Sequence, residues 1–379
     1  MEKYKNGNTM ILFLKGRISS QNAKEVDAEI NLALQDDFGQ LVLNFKEVEY
    51  ISSAGLRIIL RLAKKYPSLK CVALSLEVYD VFEMTGFTSL VSVEKEYRQL
   101  SIDGCECIGK GAKGDVYKLD EETIVKVYKD PDSLETIFQE KELSKAAFVA
   151  GIPTPISFDI VKVGELYGTV FEMLNAQSFA SYLLHNPDEF ETVVQKSVDI
   201  LHTIHSLPVE EGLLPSIKQM YLEKIEDIQS VLSSKIYEKL KSMFMLIPDS
   251  LKVIHGDFHL KNIMMEKDEA MLIDMDTLSA GEPIFEFVPI YTAYVGHGEL
   301  DPSIVEEYMG IPYDLAKKVC EQTLIDYFGQ EKENVLKKIQ LLSYVRLLSR
   351  EIRKKHREEY LSYYTEKVTI LTENIETIL

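Results

Sequence analysis

The sequence predicts two domains of different class: an α/β open sheet covered by helices over residues 1–98, and an α+β part with a helical C-terminal region over residues 108–379, joined by a linker at 99–107. Three observations predict this. Strand-like and helix-like patterns alternate through the first hundred residues. Those residues hold 13 acids against 13 bases, so the whole net charge of −19 falls on the remainder and marks a boundary near residue 100. Beyond it, a glycine-rich loop sits between strand patterns at 108–128, a polar loop at 255–262 lies between two apolar runs, and helical periodicity dominates after residue 300.

Composition bounds the rest. The 379 residues are 46% hydrophobic, enough to bury full cores, and no apolar run is long enough to span a bilayer. The first eight residues are polar, so no signal peptide is expected; the predicted location is cytoplasmic, with no membrane partner. Cys71, Cys105, Cys107 and Cys320 fit no zinc spacing and are expected as reduced thiols. The acidic excess argues against a nucleic-acid-binding surface. It suits a cationic substrate, and also a merely soluble acidic enzyme.

In the first part, Thr9–Leu14, Leu41–Phe45, Cys71–Leu76 and Val91–Val93 carry strand patterns. Between them, Gln21–Leu34 places Ala23, Val26, Ile30 and Leu34 at helical spacing, Tyr50–Leu60 contains a Ser-capped helix start, and Val78–Leu90 reads as a helix broken at Gly86. This order, with Ser52-Ser53-Ala54-Gly55-Leu56 opening a helix after a short strand, resembles the STAS domain of bacterial anti-sigma factor antagonists over residues 1–98. In that family the serine two before the glycine accepts phosphate from a partner kinase, which the resemblance places at Ser53. A first-turn serine sits among free N–H groups at the positive end of the helix dipole, where a phosphate is well tolerated. Many family members have Asp where Ser52 stands, and both serines also suit simple helix capping.

The second part opens with Ile108-Gly109-Lys110-Gly111-Ala112-Lys113-Gly114. A dinucleotide-binding Gly-x-Gly-x-x-Gly would lead into a helix. Here Val116–Leu119 and Thr123–Tyr128 read as a hairpin, and a glycine loop between strands covers nucleotide phosphates with backbone N–H groups. Lys126 interrupts an apolar strand, where a charge needs a partner. Pairing the α- and β-phosphates is its expected role, with Glu140 or Glu142 on the helix Ile137–Val149 as its carboxylate partner. Tyr167–Leu174 is an apolar strand fitting a hinge, with the backbone near Glu172 and Met173 set to meet adenine. Phe190–Leu207 is amphipathic, with His202 and His205 read as packing residues, and Met220–Leu246 reads as a second helical region.

The informative stretch is Val253–Met265 with Met271–Asp276. Apolar runs flank a polar loop, the pattern of a tight strand pair. Asp257 and Asn262 lie on the loop and Asp274 follows the next run. Singly, each is an ordinary turn former. Together they are the parts phosphoryl transfer needs: a carboxylate to orient a hydroxyl and accept its proton, and an amide with a second carboxylate to hold Mg²⁺.

His-Gly-Asp-x-His-x-x-Asn followed by Ile-Asp, at His255–Asn262 and Ile273-Asp274, resembles the core of the aminoglycoside phosphotransferase and choline kinase group. The resemblance implies a bilobal protein-kinase-like fold, with an N-lobe at 108–174 and a helical C-lobe at 175–379. It implies ATP and Mg²⁺ as cofactors. Asp257 becomes the catalytic group; Lys126 and, by counting back from Gly151-Ile152-Pro153, Glu140 form the ion pair. Gly109, Gly111, Gly114, Lys126, Glu172 and Met173 become ATP contacts, and Asn262 and Asp274 metal ligands. His255 and His259 hold the loop in shape. Asp276 either adds to the metal field or caps a turn. Gly281-Glu282-Pro283-Ile284-Phe285-Glu286 is similar to the family's Gly-Asp-Pro-x-x-Asp, with Glu for Asp twice. The absence of an Ala-Pro-Glu segment favours a small hydroxylated acceptor over a protein.

The expected function is therefore transfer of the γ-phosphoryl of Mg·ATP to a hydroxyl of a small molecule, with a regulatory STAS domain. The alternative is an anti-sigma factor antagonist switched by phosphorylation of Ser53, by a partner or by its own kinase part. The basic run Arg350–Arg357 reads as a solvated face, and the last helix is expected around Glu366–Leu379.

Overall fold

The computed structural model describes every residue except Asp36, Ala112, Pro208, Lys267, Asp268, His356 and Leu379. The chain divides into two compact units: Met1–Ser101 with Ile160–Glu165, and Ile102–Asp159 with Leu166–Leu379. Among the described residues no helix is long and apolar enough to cross a membrane. The four cysteines are free thiols.

In the first unit the strands Glu2–Asn6, Thr9–Ile18, Gln40–Ile51, Lys70–Leu74 and Ser92–Lys95 form one sheet in chain order. The first pair is antiparallel and the others are parallel, joined through the helices Ala23–Ala33, Ser53–Lys65 and Leu76–Met84. Period-two burial selects the core: Met10, Leu12 and Leu14 point inward from one strand, Leu41, Leu43 and Phe45 from the next. The predicted helix ending at Leu90 stops earlier. Gly86 takes a positive φ of 75° and a short 3₁₀ turn, Phe87–Ser89, follows. The fully exposed strand Glu2–Asn6 has no apolar alternation to reveal it; the two-residue turn Gly7-Asn8 recruits it to the sheet edge.

In the second unit Glu106–Lys110, Gly114–Lys118, Thr123–Tyr128 and Leu166–Glu172 pair antiparallel in that order, with the helix Leu134–Val149 following the third. The chain then turns helical through Phe190–Ser206, Ile217–Asp227, Ser234–Met245, Pro302–Met309, Tyr313–Phe328, Lys332–Arg350 and Glu358–Asn374. The predicted region Met220–Leu246 is two helices, because Ser233 caps a new start by accepting from the Ile236 amide. The final helix ends at Asn374, and Leu379 lies outside the described residues. Val194, Leu201, Phe244, Phe285, Leu342 and Val368 belong to one continuous helical core.

One expectation is corrected. The two apolar runs that flank the polar loop do not pair with each other. Val253–Ile254 pairs with Ser279–Ala280, and Ile263–Glu266 pairs with Glu269–Leu272 and with Gln177–Ser178. The local hairpin closes a shorter loop than the expected pair would, and the polar loop is held from elsewhere.

Candidate active site

The loop His255–Asn262 is fixed from beneath by Glu286. This carboxylate is fully buried and accepts from the backbone N–H of His255 at 2.6 Å and of Gly256 at 2.9 Å. Charge-assisted bonds of this kind to backbone amides are among the strong ones. Gly256 has φ 82°, and a Cβ there would lie 2.6 Å from the Thr277 carbonyl oxygen, so no other residue fits the turn. His255 spans the base of the loop. With its proton on Nε2 it donates to the Ile273 carbonyl at 3.2 Å and accepts the Asp257 amide on Nδ1 at 3.3 Å. His259 Nε2 meets the Tyr308 hydroxyl at 2.9 Å and lies 3.7 Å from Asp257 Oδ2. Both histidines are thus in the loop-holding positions expected of them.

Asp257 is largely enclosed. Burial alone would raise its pKa, but His259, Arg346 and His255 outweigh it and hold the carboxyl at about 2. Asn262 is buried, and its side-chain N–H donates to the Asp257 carbonyl at 2.9 Å. Among the described residues Asn262 Oδ1 accepts no hydrogen bond. The Ile273 amide donates to the Asn262 carbonyl at 3.0 Å, bringing Asp274 alongside. Asp274 has φ 67° and ψ 62°, a left-handed conformation uncommon outside glycine and concentrated at functional sites.

Lys126 bridges the two halves of the site. Its Nζ lies 2.7 Å from Glu140 Oε1 and 3.1 Å from Asp274 Oδ1. Burial works against its charge, but Asp274 and Glu140 together raise its pKa above the ordinary lysine value. The second oxygen of Glu140 accepts from the Tyr128 hydroxyl at 2.7 Å, which fixes the carboxylate. Of the two candidate glutamates, Glu140 is therefore the partner.

In the glycine loop, the Gly111 amide donates to the Gly114 carbonyl at 2.9 Å, while Lys129 Nζ donates to the Gly111 carbonyl at 2.7 Å. Lys113, near the loop tip, forms an ion pair with Asp276. Burial and the neighbouring Asp274 charge raise the Asp276 pKa, with Lys113 opposing. Ala112, part of the predicted loop, lies outside the described residues. At the hinge, the amide of Glu172 donates to the Ile156 carbonyl at 3.2 Å and that of Met173 to the Glu122 carbonyl at 2.7 Å. Their N–H groups are committed within the fold, so an adenine would meet their carbonyls or the Leu174 amide. A cavity of about 610 Å³ opens beside them, lined by Met173, Leu174, Asn175, Gln177, Tyr182 and Met265.

Among the described residues no group of three or more His, Cys, Asp or Glu side chains could hold a metal. The pair Asn262 and Asp274 suits Mg²⁺ all the same. That ion keeps several waters and takes one or two protein oxygens besides phosphates. An amide oxygen and a carboxylate on backbone segments joined by the Ile273–Asn262 hydrogen bond would make such a set.

In the first unit, Ser52 is the N-cap of the helix Ser53–Lys65 and accepts the Gly55 amide at 3.4 Å. Ser53 is exposed on the first turn. A Cβ on Gly55 would fall 2.7 Å from the Ile51 side chain and 2.8 Å from that of Ile18, which explains the glycine of Ser-Ser-Ala-Gly.

Two features escape the sequence reading. Glu286 is visible in the sequence, but its hold on the loop is not. Arg346 lies on the helix Lys332–Arg350 and its charge is felt at Asp257 and Tyr308; its only signal is a lone arginine inside the apolar run Leu341–Leu348.

Comparison with known proteins now bears on the fold and site. The phosphotransferase enzyme family model (APH) matches residues 105–310, more than half of the chain, and the STAS domain model matches residues 1–100. The chain belongs to the phosphotransferase enzyme family and carries an N-terminal STAS domain. It is a kinase-type phosphotransferase with a protein-kinase-like fold. The chain is 39% identical over 90 residues to a candidate anti-sigma factor antagonist, BtrV of Bordetella bronchiseptica, covering 22% of this chain and 76% of that one. Among solved structures, aminoglycoside phosphotransferase APH(2'')-Ib with ADP bound is 16% identical, with a TM-score of 0.51 over 77% of this chain and 98% of that one. The streptomycin–ATP complex of APH(2'')-IIa is 18% identical, with a TM-score of 0.48 over 70% and 93% of the two chains.

Proposed function

We propose that the second unit transfers the γ-phosphoryl of Mg·ATP to a hydroxyl of a small molecule. The observation that carries this is the arrangement of Lys126 between Glu140 and Asp274, on the same side as Asn262 and Asp257 of a loop locked by Glu286. The ADP bound in the structure of APH(2'')-Ib supports nucleotide use by this fold. In this reading the backbone at Gly109, Gly111 and Gly114 covers the phosphates. Lys126 anchors the α- and β-phosphates, and Glu140 aims it. The hinge at Glu172 and Met173 receives adenine. Asn262 and Asp274 hold Mg²⁺, which when bound offsets negative charge on the phosphates.

Asp257, with its carboxyl at about 2, is a poor base in the ground state. Its part is to accept a hydrogen bond from the acceptor hydroxyl and orient it. The acceptor oxygen then forms a bond to the γ-phosphorus and the bond from that phosphorus to the ADP oxygen breaks. The hydroxyl proton passes to Asp257 late, once the transferring oxygen has become acidic. The test is ADP release by the full chain with hydroxylated acceptors, beside Asp257→Ala. Acceptor-dependent release that disappears in the variant is expected; equal release by both would overturn the assignment.

A second reading is favoured by the exposed first-turn position of Ser53: the STAS domain acts as a phosphorylation-switched antagonist. Intact-mass measurement after incubation with Mg·ATP decides whether this kinase phosphorylates itself. A phosphate gained by wild type and lost in both Ser53→Ala and Asp257→Ala would establish self-phosphorylation there; none gained would rule it out.

A further inference from the structure

Resting on the phosphotransferase reading, we propose that the acceptor carries an anionic group, a carboxylate or a phosphate, bound beside Asp257 by Arg346, Arg350 and Lys224. Arg346 and Arg350 are one helical turn apart on Lys332–Arg350, so they share a face. Arg346 is partly buried. It faces the fully enclosed Tyr221 hydroxyl, which closes no hydrogen bond of good geometry. Tyr221 stands on the helix Ile217–Asp227, and Lys224, one turn further on, packs its ammonium 5.0 Å from the Tyr221 ring centre. Tyr308 joins this group to the reacting centre. The residue is 44% exposed, its hydroxyl bonds His259, and it feels the charges of Asp257, Asp274, Arg346 and Arg350 together.

The decisive feature is what these cations lack. The chain has 61 acids for 42 bases, so carboxylates are in surplus. Yet among the described residues none of Lys224, Arg346 and Arg350 has a carboxylate within ion-pair distance. Lys224 donates to the Met220 carbonyl at 3.2 Å, and Arg350 meets His297 at 3.1 Å. Neighbouring Arg353, by contrast, is neutralised by Asp227 at 2.5 Å. Like charges held together with no carboxylate in ion-pair contact raise the energy of the empty site, and an arriving anion recovers part of that energy. Burial and the charges of Arg346 and Arg353 depress the Lys224 pKa to about 8, which registers the same cost. The acidity of the whole chain acts at long range and is screened by salt; these residues act in contact. Local charge therefore outweighs net charge in choosing the acceptor.

The probe is sulfate, titrated into full-length protein already saturated with ADP so that the nucleotide phosphate positions are filled, with thermal unfolding as readout. Sulfate should stabilise wild type, and its affinity should fall about tenfold in Arg346→Gln and about threefold in Arg350→Ala, which removes an exposed side chain and keeps the fold if the first variant does not. Absence of sulfate binding to the ADP complex, or binding unchanged in Arg350→Ala and Arg346→Gln, would overturn the proposal while leaving the phosphotransferase reading intact. Failure to bind ADP would remove that reading and the proposal with it. In turnover assays, hydroxy carboxylates and sugar phosphates form two arms that separate the two anions, against aminoglycosides and amino alcohols. Release of ADP with the cationic set alone would overturn the proposal.

Discussion

On the glycine-loop side of the site Lys126, Lys129 and Lys113 each meet a carboxylate. Lys126 lies 2.7 Å from Glu140 and 3.1 Å from Asp274, Lys129 lies 3.1 Å from Asp115, and Lys113 pairs with Asp276. On the helical side Lys224, Arg346 and Arg350 meet none among the described residues. The two sides thus prepare for ligand in different ways. A paired cation is held in position before anything arrives, and the protein bears the desolvation of both partners. An unpaired cation leaves the empty site strained by repulsion and gives its full field to the ligand. Metal-bound triphosphate brings its own partial neutralisation, so the first arrangement suffices for it. A free anionic acceptor would need the second.

The largest effect should come from breaking the paired side. Lys126→Ala and Asp257→Ala should each lower kcat by about a thousandfold or more, since each removes a group that acts on the transferring phosphoryl or the attacking oxygen. The KM for acceptor should move in Asp257→Ala far more than in Lys126→Ala. Equal shifts in both would mean that the two sides are not functionally separate. Next comes Glu286→Ala, which leaves two buried N–H groups of the loop without partners. A loss of about 3 kcal/mol is expected, read as a lower unfolding midpoint in urea with an unchanged slope. A midpoint within error of wild type would show that water replaces the carboxylate and that the loop does not depend on it.

Why some of this was legible and some not follows from distance along the chain. Asp257, Asn262 and Asp274 fall in one short stretch whose spacing encodes their meeting, and Lys126 announced itself as a charge inside an apolar strand. The pattern alone offers Glu140 and Glu142, the resemblance chooses Glu140, and in the structure Glu140 Oε1 lies 2.7 Å from Lys126. The same kind of evidence says less on the helical side. The basic run Arg350–Arg357 reads as a solvated face, and Arg350, Arg353 and Lys354 are exposed, but the spacing does not show that Arg353 reaches Asp227 on another helix or that Arg357 reaches the buried Glu351. Helical periodicity shows which residues share a face, not what that face meets, so the partners of Arg346 needed the fold. The fold class was readable throughout, because alternation and period are local properties. The strand Glu2–Asn6 was the exception: an exposed edge has no apolar face to give it a period.

A smaller effect sharpens the comparison through pH. The Asp257 carboxyl is held at about 2 in the folded protein, below the ordinary aspartate value. Its ionised form is favoured by folding, so its stabilising contribution is present above the ordinary value of about 4 and is lost as pH falls from about 4 to about 2. The gap in unfolding free energy between wild type and Asp257→Asn should shrink by about 2 kcal/mol across that window. A gap that does not shrink between pH 4 and 2 would mean that Asp257 is not held below the ordinary aspartate value, and the positive field around it would be weaker than the structure indicates.

The smallest signal is a proton count. Lys224 faces Arg346 and Arg353 as like charges and Glu223 and Asp227 as opposite ones, and burial with the two arginines leaves its pKa at about 8. At pH 8.5 most of the free protein therefore has a neutral Lys224. An anion that settles against it supplies the missing countercharge and raises its pKa, so binding must draw a proton from the buffer. Calorimetric titration of sulfate into the ADP complex, in two buffers of different ionisation enthalpy, should show uptake of a fraction of one proton at pH 8.5 and almost none at pH 6.5, where Lys224 is already charged. Lys224→Met should abolish the uptake while leaving ADP binding in place. Sulfate binding without proton uptake at either pH would place the anion on the arginines alone and remove Lys224 from the site.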